Sequence, residues 1–405
     1  MRKQILLITQ GFPYGEAEYS FIVSEYEELK KIYDVIILAL YNNKPLRYQV
    51  GNAHVIRYSY NKIFLIYCAL KAIFDKSLYK ELNNAWDSSN LKQSVLRTKK
   101  IFSFDAYAIY SKRIIEKILQ NNDVQMIYTY WCTSETLAGL KIKANKTIKV
   151  ITRAHGYDLY NERTKADWQP FRYDISKESD AVILACKNAK NYFDKQWGGN
   201  TYLSYIGSKH RDFIKHETKN LVLVSCSNII ESKRVQLIVH ALSIVPENVD
   251  IEWHHFGAGD QEDNIKQMAF ELLQNKRNVK YCFHGYLKNE EILKNYETLK
   301  PSLFITTTQT EGGCPVSIQE IAAFGVPAIG TNVGGVPDII IDNYTGFLLS
   351  ENPSICEIKD KIIRYYQLND SEKTIMKENM YSHWKENFDS YKCARKFVDI
   401  IDKIL

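Results

Sequence analysis

Glu311 and Glu320 stand nine residues apart in a segment that also carries Gly312, Gly313, Cys314, Pro315 and Val316. Glycines break a β-type run over Ser302 to Thr308, and Pro315 falls where a first helical residue tolerates having no N–H. The spacing predicts a helix over 315–324, with Val316, Ile318, Ile321, Ala322 and Phe324 apolar, Gly325 as its cap, and a buried strand beginning at Val326. A helix start opening off a strand presents backbone N–H groups and the positive end of the helix dipole, which suits a phosphate or diphosphate. Glu320 lies close enough to take two hydroxyls of an attached ribose. Lys233 and Arg234 precede a second helix with Leu237, Ile238 and Leu242 on one face, and a lysine there can neutralise a diphosphate. His155 closes a strand in RAHGYD, with Gly156 behind it. Each feature also has a plainer reading: an ordinary β–α turn, a solvated cationic pair, a structural histidine.

The elements that must position these residues alternate along the chain. Strands are expected at 5–9, 34–40, 53–57, 126–131, 148–155 and 180–186, with a helix around Ser20 to Lys31. A second series follows at 221–227, 251–257, 279–285, 302–308 and 326–329. Such alternation predicts two doubly wound, mostly parallel sheets, with ligands at their strand ends and a cleft between the two domains. The polar stretch from Ile206 to Asn220 reads as the linker. Gly11 and Gly15 would let backbone approach a ligand, or simply make a tight turn. A helical insertion is expected over about 60–121; its apolar run Ile63 to Phe74 and the basic cluster of Arg97, Lys99 and Lys100 fit either a membrane-surface element or a helix packed on its own domain. Ser382 to Leu405 reads as an amphipathic helix able to pack on either domain.

At 405 residues the chain suggests two domains, and 45% hydrophobic with 25% charged residues is a globular composition. The eight cysteines include no CxxC pair, which argues for reduced thiols rather than a disulfide frame or zinc site, and hence for a reducing compartment. The N-terminus reads as a first strand rather than a signal peptide, and no run approaches the ~20 apolar residues of a bilayer span. The net charge of +6 is mild and comes with no nucleic-acid module, so anionic substrates or an anionic membrane face are the better expectation.

TEGGCPVSIQEIAAFGVPAIGTNVGGVPDII, with TGFLL at 345–349, resembles the donor-site signature of retaining GT-B glycosyltransferases of family 4. FPYGEAEYSF resembles that family's N-terminal glycine loop, RAHGYDLY its histidine turn, VSCSNIIESKRVQLIVHAL its diphosphate turn, and IEWHHFGAGD its second strand of the C-terminal domain. The resemblance implies the GT-B fold, with an acceptor-side domain over 1–205, a donor domain over 206–382 and a C-terminal helix over 383–405 packing back on the first domain. It implies that Glu320 holds the donor ribose, that Lys233 binds the diphosphate, that the backbone from Gly312 to Val316 faces phosphate and sugar, that Glu311 and His155 act catalytically beside the donor sugar, and that Gly15 lies over the diphosphate. In two places the chain departs from the family pattern. The family's glutamates are eight apart, so Gly312 stands where the first acid is usual. Its arginine before the lysine is replaced by Ser227 or Asn228, with Arg234 a candidate second cation.

The function expected is retaining, metal-independent transfer of a sugar from a nucleotide diphosphate-sugar, UDP-linked by preference, to a glycan or lipid-linked acceptor in surface polysaccharide synthesis. It needs no cofactor, and the chain carries no Asp-x-Asp metal motif. Arg153, Asp158 and Arg163 are expected to line the acceptor groove. The protein is expected in the cytoplasm, at the inner membrane face through peripheral contact. Rival readings are a catalytically silent GT-B subunit that binds glycan or a partner enzyme, and a nucleotide-sugar epimerase.

Overall fold

The computed structural model describes residues 2–15, 18–40, 45–51, 53–214 and 220–405. They form two compact units, residues 1–206 with 393–405, and residues 207–392.

The first unit is built on strands β1 (Gln4–Thr9), β2 (Asp34–Ala39), β3 (His54–Arg57), β4 (Val124–Thr129), β5 (Lys149–Ala154), β6 (Ala181–Leu184) and β7 (Thr201–Leu203). They pair in the order β3-β2-β1-β4-β5-β6-β7, every pair parallel. Ile5, Leu6 and Leu7 are fully buried, as a strand covered on both faces requires. Around the sheet lie α1 (Tyr19–Ile32), α2 (Lys62–Ala72), α3 (Lys76–Ala85), α4 (Leu91–Gln120), α5 (Ser134–Lys143), α6 (Arg172–Glu178) and α7 (Lys187–Gln196). The insertion expected over 60–121 is therefore three helices, begun by side-chain caps: Asn61 accepts from the N–H groups of Ile63 and Phe64, Asp75 from Ser77, and Asn90 from Gln93.

The second unit repeats the plan. Its strands β8 (Leu221–Cys226), β9 (Ile251–Phe256), β10 (Val279–Phe283), β11 (Leu303–Thr306), β12 (Ala328–Thr331) and β13 (Gly346–Leu349) run in the order β10-β9-β8-β11-β12-β13. Between and after them come α8 (Gln236–Ser243), α9 (Glu262–Leu273), α10 (Asn289–Leu299), α11 (Val316–Ala322), α12 (Val336–Ile339), α13 (Ile355–Gln367) and α14 (Asp370–Asn387). Trp253, Leu223, Ile305 and Ile329 join one core. In both sheets the order reverses beside the first strand, between β1 and β4 and between β8 and β11. Such switch points leave a crevice at the strand ends where α/β sheets take ligands.

The helix expected over 382–405 is broken: α14 ends at Asn387, and α15 (Ser390–Ile404) carries the chain into the first unit, where Phe397 packs on Tyr128 at 5.2 Å. Lys215 to Lys219, the end of the expected linker, lie outside the described residues, as do Glu16 and Ala17 of the N-terminal glycine loop.

Candidate functional site

At the β8–β11 switch point the loops after the two strands meet through charge. Lys233 Nζ lies 2.5 Å from Glu311 Oε1, joining the β8 loop to the β11 loop across 78 residues of sequence. The backbone beneath is cross-tied: the Gln309 N–H donates to the Ser232 carbonyl at 2.7 Å, and the Thr307 hydroxyl donates to the Arg234 carbonyl at 2.9 Å. Arg234, in the left-handed region at φ +50°, turns its guanidinium to the carbonyls of Thr307, Thr308 and Glu351 and to Asn352 Oδ1, at 2.7 to 3.1 Å. The side chain expected as a second diphosphate cation thus has four protein acceptors and braces the ends of β8, β11 and β13. Asn228 is exposed on the same β8 loop, whose Ile229 N–H donates to the Ala258 carbonyl at 3.1 Å.

Pro315 caps α11 rather than opening it, and the helix starts at Val316. By helix geometry the first N–H groups of α11 have no intrahelical acceptor. The segment from Glu311 to Cys314 is held against the turn after β12 by backbone contact: Gly335 N–H donates to the Gly313 carbonyl at 3.1 Å. A Cβ on Gly334, at φ +54°, would stand 2.3 Å from the Glu311 carbonyl oxygen, and one on Gly335 would stand 2.5 Å from Cys314 N. Gln319 Nε2 donates to the Cys314 carbonyl at 2.9 Å and fixes the loop from below.

Glu320 points from α11 to the N-terminus of α10, where Asn289 Nδ2 donates to its Oε1 at 2.7 Å. Burial outweighs that bond and the charge of Arg211, and pushes the Glu320 carboxyl up to about 7. Cys226, at the end of β8, is raised to about 12 by burial and by the neighbouring Glu320. Lys233, Glu311 and Glu320 therefore gather around one switch point, flanked by the Gly312–Val316 backbone.

The remaining expected residues lie in the first unit. His155 follows β5, its Nε2 3.0 Å from the Tyr130 carbonyl, which makes that nitrogen the protonated one and leaves Nδ1 as acceptor. Burial, with Arg153 nearby, holds the imidazole down at about 3, so it is neutral. Gly15 is left-handed at φ +67° and its N–H donates to the Pro45 carbonyl at 3.1 Å. One acceptor expectation needs correction. Arg153 is wholly buried, ion-paired with buried Glu25, and donates to the Ser204 carbonyl at 2.8 Å; a guanidinium enclosed this way lines no groove. Asp158 is 2% exposed and its carboxylate accepts the Cys132 and His155 N–H groups, each at 2.8 Å, so it braces the histidine turn while also lining the cavity that Arg163 borders. Arg163, its guanidinium 5.0 Å over the Tyr160 ring, does line a cavity of about 670 Å³, together with Gln10, Lys99, Lys100 and Tyr157, at the β1–β4 switch point.

Residues 208–383 match the family model described as Glycosyl transferases group 1. The second unit is a group 1 glycosyl transferase domain. An uncharacterized glycosyltransferase of Methanocaldococcus jannaschii is 22% identical over 289 residues, covering 71% of this chain and 78% of the relative. Among solved structures, the lipopolysaccharide outer core galactosyltransferase WaaB superposes with a TM-score of 0.73 at 13% identity, covering 99% of this chain and 100% of that one. HepE of Anabaena, in complex with UDP and glucose, gives a TM-score of 0.65 at 14% identity, covering 99% and 100%. With its two parallel sheets the chain has the GT-B fold.

The group 1 domain holds residues that sequence reasoning passed over. Asn289 had no signal, because its neighbour Glu320 is 31 residues away. Gly334 and Gly335 stood inside the recognised segment, yet their reason is the close approach of the Glu311–Cys314 backbone. In the first unit Glu18, 4% exposed, accepts the N–H groups of Gln10, Gly11 and Phe12 and the Trp131 indole, so it organises the glycine loop. An acid seven residues after Gly11, accepting several turn amides, was the available clue.

Proposed function

We propose that the protein is a retaining glycosyltransferase that moves a sugar from a nucleotide diphosphate-sugar to a glycan or lipid-linked acceptor in surface polysaccharide synthesis. The observation that carries this reading is the meeting of Lys233, Glu311 and Glu320 at the β8–β11 switch point of the group 1 domain. Lys233 would take the diphosphate, and the Gly312–Val316 backbone the phosphate and sugar. Glu320 would take the two ribose hydroxyls. Lys233 is paired with Glu311, so a diphosphate would compete for the ammonium and leave Glu311 to orient a sugar hydroxyl. His155, neutral and with Nδ1 as acceptor, suits a hydroxyl rather than a phosphate.

The chemistry assigned to these groups is stabilisation of the departing nucleoside diphosphate by a fixed cation and aligned amides, without a metal. In a front-face transfer the leaving phosphate oxygen takes the acceptor's proton as the new glycosidic bond forms, so no dedicated base is needed. The complex of HepE with UDP and glucose supports trying UDP-sugars first, and the name of WaaB supports an outer-surface saccharide acceptor. The cavity that Arg163 and Lys99 line is our candidate for that acceptor. Peripheral contact with the inner membrane face is part of the same proposal, supported by the exposed apolar face of α2. Among the described residues no helix is long and apolar enough to cross a membrane.

The test is nucleotide release from UDP- and GDP-sugars with saccharide acceptors. Lys233→Ala is expected to lower kcat/KM by about 10²–10³. Undiminished turnover in that variant would remove the site assignment, and failure of the wild type to bind any nucleoside diphosphate would favour a silent subunit.

A further inference from the structure

A second chemical cluster lies in the group 1 domain, on its β10 edge and apart from Lys233. The β9–β10 register sets His254 opposite Cys282. Trp253, Tyr281 and Phe283 belong to the core on one face of the sheet, so alternation places His254 and Cys282 together on the other. His284, just beyond β10, comes to the same place: its Nε2 is 2.9 Å from His254 Nδ1, and the ligand atoms of His254, Cys282 and His284 all lie within 4.8 Å of one another.

We propose that His254, Cys282 and His284 form a binding site for a zinc-class divalent cation. Two nitrogens and one sulfur are the donor set such a borderline-soft ion prefers, and exposed Cys282 leaves a fourth position to water. Independent features orient the ligands. Glu252 Oε1 lies 3.1 Å from His254 Nε2, so that nitrogen carries the proton and Nδ1 turns its lone pair toward His284. A carboxylate behind a histidine in this manner fixes tautomer and ring angle at metal sites. The His284 ring is stacked on Phe256 at 4.3 Å with only 8° between the planes, which aims its Nε2. Tetrahedral ligands at ~2.0–2.1 Å sit about 3.3 Å apart, so the rings need open only by a few tenths of an ångström. On binding, His284 shifts its proton to Nδ1 and the Cys282 thiol yields its proton to solvent. A hydrogen-bonded histidine pair alone requires neither the sulfur nor the carboxylate. Because His284 begins the turn that leads to Asn289, the partner of Glu320, a bound ion would stiffen the approach to the ribose side of the proposed donor site.

The experiment is a titration of chelator-treated, full-length protein with Zn²⁺ by calorimetry and with Co²⁺ by absorption. About one equivalent is expected to bind, with a Kd on the order of micromolar or tighter, and cobalt to show a thiolate charge-transfer band. Cys282→Ser should abolish the band and, like His284→Ala, weaken binding by at least ~10-fold, with Glu252→Gln weakening it ~10–100-fold. Cys356→Ser, at another exposed thiol, should change nothing. Absence of stoichiometric binding to the folded wild type would overturn the proposal, as would a thiolate band that survives Cys282→Ser. These readouts are independent of glycosyl transfer, so failure of that reading and failure of this one are told apart.

Discussion

Glu320 carries a tension between stability and binding. Its carboxyl is raised from 4.5 to about 7 by burial, so folding disfavours its ionised form. The stability linked to it is complete below the unfolded value of 4.5 and is lost as pH rises through about 7. Binding has the opposite sign, because ribose hydroxyls donate best to a carboxylate. Donor affinity is therefore expected to weaken as pH falls through about 7, approaching tenfold per unit, in calorimetric titrations with UDP-sugar. Glu320→Gln should flatten that slope and weaken binding at pH 8, while raising stability there by roughly 1–2 kcal/mol in denaturant titration. A variant that lost binding and stability together would show that Glu320 supports the fold rather than the ligand.

At the scale of elements, the proposed donor site depends on two loops pressed backbone to backbone. The Glu311–Cys314 segment is shaped by Gly334 and Gly335 opposite, which leave no room for a methyl group. Gly334→Ala combines a left-handed φ with a 2.3 Å approach to the Glu311 carbonyl, and the loop must move to relieve it. The expected outcome is a stability loss of about 1–3 kcal/mol and a donor Kd at least ~10-fold weaker. Tm and calorimetry measured on the same sample check it; unchanged affinity would mean that the loop position is immaterial. Arg234 is the counterpart on the β8 side. Its guanidinium holds three strand ends in register, and Lys233 next to it is thereby aimed at Glu311.

For the whole molecule, the outer side of α2 presents a run of exposed apolar side chains among the described residues. Ile63 is 80% exposed and Phe74, just past the helix, 86%, with Ile66 and Leu70 between them. Lys62 and Lys99 line a groove with Ile66, and Arg113 lies 4.8 Å over the Phe64 ring, so apolar and cationic groups share this face. Such a mixture suits an anionic bilayer surface, consistent with a lipid-linked acceptor. Co-sedimentation with vesicles containing anionic lipid is expected to fall several-fold in Ile66→Ser/Leu70→Ser and to weaken with salt. Binding equal to wild type in that variant would leave the face without this role. The expected membrane element thus survives as a proposal resting on exposure, whereas the acceptor role of Arg153 does not. Its charge lies against Glu25 inside the first unit.

Sequence alone determined the two alternating strand series except for the short edge strands β7 and β13, because a buried parallel strand and the helix that follows it are local patterns. It also singled out Glu311 to Glu320 and Lys233, since a helix opening off a strand through glycine is a local event. Strand pairing and burial lay beyond it. Only the tertiary structure set Arg153 inside the core, turned Arg234 to carbonyls as many as 117 residues away, brought Asn289 to Glu320, and broke the last helix at 388–389. The cysteines show the difference most sharply. Their spacing argues against a zinc site because spacing detects only ligands close in sequence, whereas parallel pairing of β9 with β10 places Cys282 beside His254, 28 residues earlier. Register decides which side chains share a face, and register is a property of the assembled sheet.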